Sequence, residues 1–407
     1  MRQVKQSFNS YSLLLTGLFS ILLLVACSST TTHQDSPTIS MADYSHYPEG
    51  GGLFVSAAFG TDGRLWRAVP EKSHVYVDYS TDLGKTFGAP VRINTDTQPI
   101  KVSGENRPSI AVDQAGRIYV IYSAEGATQA LTLYFSVSSD NGKSFSTPVP
   151  LSDKASEANS FQGRLALNRS GQAYIFWHDE RNRTDWQKPG NAIYYTRIDA
   201  ESKRSLASQQ VADMLCECCR IAVAFDTDNT PVLFARFIYE DGVRDHGLIR
   251  TSANGKELQP LRATFDKWQI EACPEHGPAI AIGSDGQYHI AWFSQGSIRQ
   301  GLFYAHSTDK GQHFSEPLAL GVSAKLPSHP DIMTQGNNVF LTWVEFNGEK
   351  KQLQIMQSKD GGATWLPTKT LAESASETDY PFLLSSKQGI FVSWNSKKDG
   401  YRLIPLF

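Results

Sequence analysis

Ser138-Ser-Asp140-Asn-Gly142-Lys-Ser-Phe145 is the stretch on which the fold turns. An aspartate here can accept backbone N–H bonds inside a tight turn. The glycine admits a positive φ, and the aromatic residue can anchor the turn in a core. The same pattern, S-x-D-x-G-x-x-aromatic, returns at Ser80–Phe87, Ser307–Phe314 and Ser358–Trp365. Each copy lies between short runs in which apolar and polar residues alternate, the period of a strand. Asp82 and Asp140 are 58 residues apart, Asp309 and Asp360 are 51 apart, and the 169 residues between Asp140 and Asp309 hold about three such periods. Worn copies of the turn stand in that gap, at Asp199 and at Ser252-Ala-Asn254-Gly255.

A second element repeats in phase. It is an apolar strand, a turn often holding glycine, and a second strand often ending in an aromatic residue. Copies begin at Leu53, Arg107, Arg164, Arg220, Pro278, Pro330 and Pro381. Each unit therefore reads as four strands with the aspartate turn between the third and fourth. Four-stranded units repeated around an axis predict an all-β chain, a β-propeller of seven blades, with six as the alternative. The last unit stops after YRLIPLF. Its missing outer strand is expected from around Ile39 to Tyr47, which would close the ring and cover an edge. The net charge of −3, without a basic block, argues against nucleic acid as a partner.

The N-terminus has its own logic. Arg2 and Lys5 precede an apolar run from Leu13 to Ala26, and Cys27 follows. This is the pattern of an export signal, too short and wrongly flanked for a spanning helix. Leu24-Val25-Ala26-Cys27 resembles the lipobox of bacterial lipoproteins. That resemblance implies cleavage before Cys27, lipidation on it, and, with Ser28 next, sorting to the outer membrane. Residues 1–26 are thus expected to be a signal, 27–48 a lipidated cysteine with a Ser/Thr-rich tether, and 49–407 a monomeric propeller held at the cell envelope.

The aspartate turns in such a setting resemble the Asp boxes of the sialidase superfamily, the BNR-repeat proteins, over nearly all of residues 50–407. The resemblance implies a glycan or small anionic ligand at the face where the innermost strands begin, and exo-sialidase-type hydrolysis as a candidate activity. It needs no cofactor. Arg107, Arg164 and Arg220 stand at equivalent places in three successive units. In the resemblance they are an arginine trio for a substrate carboxylate, a task that suits the guanidinium fork. The same fork could instead brace neighbouring blades. The family's tyrosine nucleophile maps onto Tyr380, with Glu217 or Glu275 as its partner and Asp179 as the proton donor. One departure stands out. The family's Phe-Arg-Ile-Pro type motif is missing from the first strand, LFVSAAF, and the nearest string, Tyr401-Arg402-Leu403-Ile404-Pro405, lies at the other end of the chain.

Four cysteines remain once Cys27 is lipidated: Cys216, Cys218 and Cys219 in LCECCRIAVAF, and Cys273 in WQIEACPEHGPAIAI. Both segments precede an innermost strand, in adjacent units, so the four thiols are expected to meet, with His276 beside them. Three readings stay open. An exported chain meets oxidants, so disulfides stapling the units come first. A soft-metal site for Cu(I) or Zn(II), built from Cys216, Cys218, Cys219, Cys273 and His276, comes second. A reactive or redox thiol site comes third. The pattern C-x-C-C-R with W-x-I-x-x-C-P-x-x-G-P resembles a subgroup of bacterial sialidase-like proteins and implies that the cysteines act as one unit. Besides a glycan-binding protein or glycosidase, a non-enzymatic metal or redox module and an interaction scaffold are the alternatives.

Overall fold

The computed structural model describes residues 52–406 apart from 156, 185–188, 200, 201, 203, 252–257 and 273. The expected signal, Cys27, the tether and the N-terminal outer strand lie outside the described residues, as do Cys273 and the worn turn at 252–255. Within them, helix is confined to two three-residue 3-10 turns, Glu240–Gly242 and Ser323–Lys325. None of the described helices is long and apolar enough to cross a membrane.

Strands account for the rest of the regular structure. Ser56–Phe59, Leu65–Pro70, Val75–Ser80 and Val91–Arg92 pair in sequence order, each antiparallel to the next. Three further sheets repeat that plan, and the last, Phe382–Ser386 to Gly400–Pro405, has three strands. One eight-stranded sheet is two four-stranded units joined at the single pair Leu215 and Phe237. Among the described residues there are thus six hydrogen-bonded sheets. The sequence expectation of seven units counts the joined sheet as two, and the units are numbered that way below.

The core explains why the units form a ring. No unit has a core of its own, because a small four-stranded sheet buries too little area alone. Each apolar cluster is shared by two consecutive units. Trp66 and Val77 of the first unit pack on Ile118 and Tyr122 of the second. Phe176 and Ile193 of the third pack on Leu233 and Phe237 of the fourth. The series closes when Phe391 and Tyr401 of the seventh meet Val55 and Leu65 of the first. Polar bonds clasp the same joint. The Asp379 carboxylate accepts the N–H groups of Phe54 and Val55, and Asn395 donates through Nδ2 to the Gly52 carbonyl at 2.8 Å. The chain is a β-propeller.

The aspartate turns behave as their chemistry dictates. Asp140 accepts from Ser138 Oγ at 2.8 Å, Ser144 N–H at 3.0 Å and Ser144 Oγ at 2.6 Å. Equivalent bonds hold Asp82, Asp309 and Asp360. Gly142, at φ +76°, lies so close to the first unit that a Cβ would fall 2.5 Å from the Trp66 ring. The turn therefore docks its own unit onto the preceding one. It caps the end of the blade opposite to the second-to-third-strand turns, because consecutive strands reverse direction. The turns that precede the innermost strands share the second end, and the candidate residues sit there.

Candidate functional site

A cavity of about 390 Å³ opens along the innermost strands. Its apolar wall includes Ala57, Ile110, Leu165, Phe382 and Leu384, and its polar groups are Glu105, Arg107, Gln162, Arg164, Arg220, Asp331 and Tyr380. All three arginines of the sequence reading and Tyr380 thus line one space. A larger space of about 800 Å³ lies against Tyr239, Glu240, Arg262, Lys267 and Gln300 of the fourth and fifth units. It gathers none of the candidate residues, and the smaller, central cavity is where the convergent charges are.

The three arginines reach the cavity by different routes. Arg107 and Arg220 stand two residues ahead of the strands Ser109–Val112 and Ala222–Phe225. Arg164, expected before a strand, lies inside Ser160–Leu167. The physical reason is a bulge. Gln162 takes φ +49°, and the pairing with the next strand slips between Phe176 and His178. Gly163 permits this, since a Cβ there would fall 2.7 Å from Ile121 and Leu133. The sixth unit repeats the device, with His329 at φ +55° inside Ser328–Gln335 and a slip between Ser328 and Asp331. Bulges of this kind re-aim side chains beside functional sites.

Their partners differ as well. Arg220 is clamped to Glu105, through its N–H at 3.0 Å and Nη1 at 2.8 Å, and donates through Nη2 to the Pro330 carbonyl at 2.8 Å. Arg107 donates to the carbonyls of Tyr380 and Gly104. Arg164 makes no hydrogen bond or ion pair with any described residue. It is open to the cavity yet enclosed by protein. That enclosure lowers its pKa, and the Arg220 and Arg107 charges lower it further while Asp331 opposes them. An arginine stays charged under such pressure. An exposed guanidinium that lines the cavity with its fork unpaired is placed to take an anion.

Tyr380 is set by packing. Its ring stacks on His329 with centroids 3.3 Å apart, over Gly104, where a Cβ would strike it at 2.2 Å. Burial, with Glu105 and Glu275 nearby, pushes its phenol up to about 12. His329 Nε2 lies 3.0 Å from His276 Nδ1 and 2.9 Å from the Glu275 carbonyl. Burial holds His329 well below its usual pKa and brings His276 down to about 4. Two sequence candidates sit away from the cavity lining. Asp179 is buried and takes bonds from Trp177 Nε1, at 2.7 Å, and from the Arg181 guanidinium. Glu217 pairs with Arg183 at 2.9 Å and accepts the Gly190 N–H.

Glu105 and Asp331 escaped the sequence reading. Glu105 lies two residues before Arg107 in Gly104-Glu105-Asn106-Arg107, so its place in the same turn was the available signal. Asp331 is hidden by the bulge that draws it into the cavity. Glu105 also supplies a test. Its carboxylate is fully buried and spans the second and fourth units. Glu105→Ala leaves Arg220 without its counter-charge and is expected to cost about 3 kcal/mol of stability. Urea unfolding checks this, and a wild-type midpoint would show that the pair does not hold the ring.

The cysteines form the second cluster. The turn after Leu215 folds Cys216, Cys218 and Cys219 inward, and their sulfurs all lie within 4.8 Å of one another. All three are buried and free. Disulfides, the first reading from sequence, are therefore not what the structure holds at these three positions. The reason lies in the surroundings. Arg236 Nη1 donates to Cys219 Sγ at 3.1 Å and Arg244 Nη1 to Cys216 Sγ at 3.3 Å, and the second contact suits a thiolate. Bonds from the Cys218 and Cys219 thiols, then the two arginines, hold Cys216 well below its usual range, while bonding to Cys216 pushes the other two up. The cluster could hold a metal. His276 pairs with His329 instead and is not part of this group.

No family model matches the chain, and no curated protein matches it. Solved structures do. A Hadza microbial sialidase superposes with a TM-score of 0.50 at 12% identity, covering 87% of this chain and 65% of the sialidase. This chain thus spans less than two thirds of that protein. An ulvan lyase of a polysaccharide lyase family, bound to -[GlcA(1-4)Rha3S]-, gives a TM-score of 0.56 at 12% identity over 89% of this chain and 92% of the lyase. The polysaccharide lyase Uly1 gives 0.53 at 9% identity over 88% and 90%. The shared property is the fold. These neighbours are carbohydrate-active propeller enzymes, and at such identities the likeness extends no further.

Proposed function

We propose that the protein binds a carboxylate-bearing sugar of an anionic glycan, sialic-acid-type or uronic, in the cavity lined by Arg107, Arg164 and Arg220. One observation carries the reading: the Arg164 guanidinium lines the cavity and pairs with no described residue. A carboxylate there would accept its fork bidentately and relieve the repulsion among three cations. Ala57, Ile110, Leu165 and Phe382 supply an apolar wall for the sugar's C–H face. The ligand named with the ulvan lyase, which includes a uronic acid, supports the class.

Binding has more support here than hydrolysis through a tyrosine. The Tyr380 phenol is raised to about 12. Its hydroxyl makes no hydrogen bond to a described residue, and Asp179 is committed to Trp177 and Arg181. Part of the same reading is a lipid anchor at Cys27 that holds the propeller on the envelope, where glycans are met. Calorimetric titration with N-acetylneuraminate, glucuronate and neutral galactose tests it, alongside a fluorogenic sialoside. The expected result is binding of the acidic sugars, no binding of galactose and no fluorophore release. Equal binding of galactose would sink the carboxylate reading, and release of fluorophore would restore the hydrolase.

A second reading rests on a separate observation. Three buried thiols with mutually close sulfurs support a metal-binding role as well, with Cu(I) or Zn(II) as the ions such sulfurs take.

A further inference from the structure

We propose that Cys216, Cys218 and Cys219 form a three-sulfur site selective for one monovalent soft ion, Cu(I), over Zn(II), and that Arg236 and Arg244 set this choice by their charge. The proposal deepens the metal reading and rests on it. The first support is the ligand set. Among the described residues the group within 4.8 Å contains three sulfurs and no further His, Asp or Glu ligand atom. Structural Zn(II) takes four ligands, in tetrahedral array. Thiolates take Cu(I) as well as Zn(II), so the missing fourth ligand is what separates the two ions.

The second support is the charge count. Arg236 and Arg244 are 0% and 8% exposed. No carboxylate of a described residue hydrogen-bonds or ion-pairs with either. Arg236 otherwise donates to the carbonyls of His276 and Phe293 and lies over the Trp268 ring, and Arg244 donates to Cys216. Two buried cations without carboxylates need anions, and the sulfurs are what they touch. Three thiolates against two guanidiniums leave one negative charge. A monovalent ion brings the buried site to neutrality, whereas a divalent ion leaves it positive. The nearby acids have another partner. Glu217 and Glu180 both meet Arg183 and pair with neither Arg236 nor Arg244. His178 Nε2 meets the Cys219 carbonyl and His246 lies across the strand pair from Arg236, and neither imidazole belongs to the close group of ligand atoms.

The third support is access. Cys216 and Cys219 are fully buried, and Cys218 is the one with measurable exposure, 7%. Its carbonyl accepts from Gln162, which lines the central cavity, and Arg220 follows Cys219 directly. Cys218 is thus the most accessible of the three sulfurs to an entering ion. As it binds, the thiol protons pass to solvent.

Anaerobic titration of the reduced mature protein with Cu(I), delivered from a competing Cu(I) chelator, tests this, with Zn(II) as competitor. The expected result is one Cu(I) per chain, a sulfur-only shell by X-ray absorption, protection of three thiols from alkylation, and no displacement by excess Zn(II). Arg244→Met removes one positive charge and is expected to shift the Cu(I):Zn(II) preference toward Zn(II) by about tenfold or more. Circular dichroism confirms that this variant is folded, and Arg236→Lys, which keeps the charge, should keep the preference. Preferential Zn(II) binding by the wild type overturns the charge selection and leaves the metal reading standing. Loss of Cu(I) uptake in Cys273→Ser overturns the three-sulfur set. No uptake of either ion by the reduced protein ends both.

Discussion

Arg164→Met is expected to lower affinity for an acidic sugar by roughly 30- to 4,000-fold while leaving thermal stability unchanged or slightly raised. The magnitude follows from what a desolvated, charge-assisted pair loses when one partner is truncated, about 2–5 kcal/mol, at about 1.4 kcal/mol per tenfold. The direction of the stability effect follows from Arg164 having no bonded partner to abandon. Methionine keeps the length of the stem and removes a cation that Arg107 and Arg220 repel. Arg220→Met would behave differently, because it strips Glu105 of its partner and damages the fold together with the site. Calorimetry on Arg164→Met alongside a melting curve separates the two effects. Unchanged affinity would move the ligand elsewhere.

Stability should fall steeply as pH drops from about 6.5 toward 4. His178, His276 and His289 are each brought from the ordinary 6.5 down to about 4, in every case first by burial. The sign follows from proton counts. Between pH 6.5 and 4 the unfolded chain has protonated these imidazoles and the folded chain has not. The unfolded state binds more protons there, so stability rises with pH and falls on acidification. Each group costs roughly 3 kcal/mol by pH 4, so three together approach the whole stability of an ordinary domain. Urea unfolding at pH 7, 5.5 and 4.5 measures it. His289→Gln, which retains an acceptor for the Tyr304 hydroxyl, should flatten the slope by its own share, with His246 and His329 contributing alongside the other rings. A midpoint independent of pH over this range would contradict the burial of these rings.

Much of the architecture was legible because its signals are local. The aspartate turns close bonds within five residues, as from Ser144 back to Asp140, so any sequence that carries the residues carries the turn. Alternating strands on either side of each turn, at a repeating spacing, then leave few arrangements but a ring. The candidate site was legible only in part. The convergence of Arg107, Arg164 and Arg220 on one cavity agrees with their equivalent places in the repeat. The bulge that carries Arg164 into the middle of a strand has no signature beyond a glycine next to it, Gly163.

What the linear order alone determined is the repeat, the all-β unit and the set of residues that could face the centre. What the tertiary structure decided is who partners whom. Glu105 meets Arg220 across 115 positions, and in the cysteine turn Cys219 meets Arg236 and Cys216 meets Arg244 on later strands. Sequence periodicity states which face a side chain occupies. It is silent on the neighbour across a blade boundary, because that neighbour is set by packing the whole ring. Charge pairing therefore left Arg164 free while it occupied Arg220, and it turned three cysteines from expected staples into free thiols beside two buried cations.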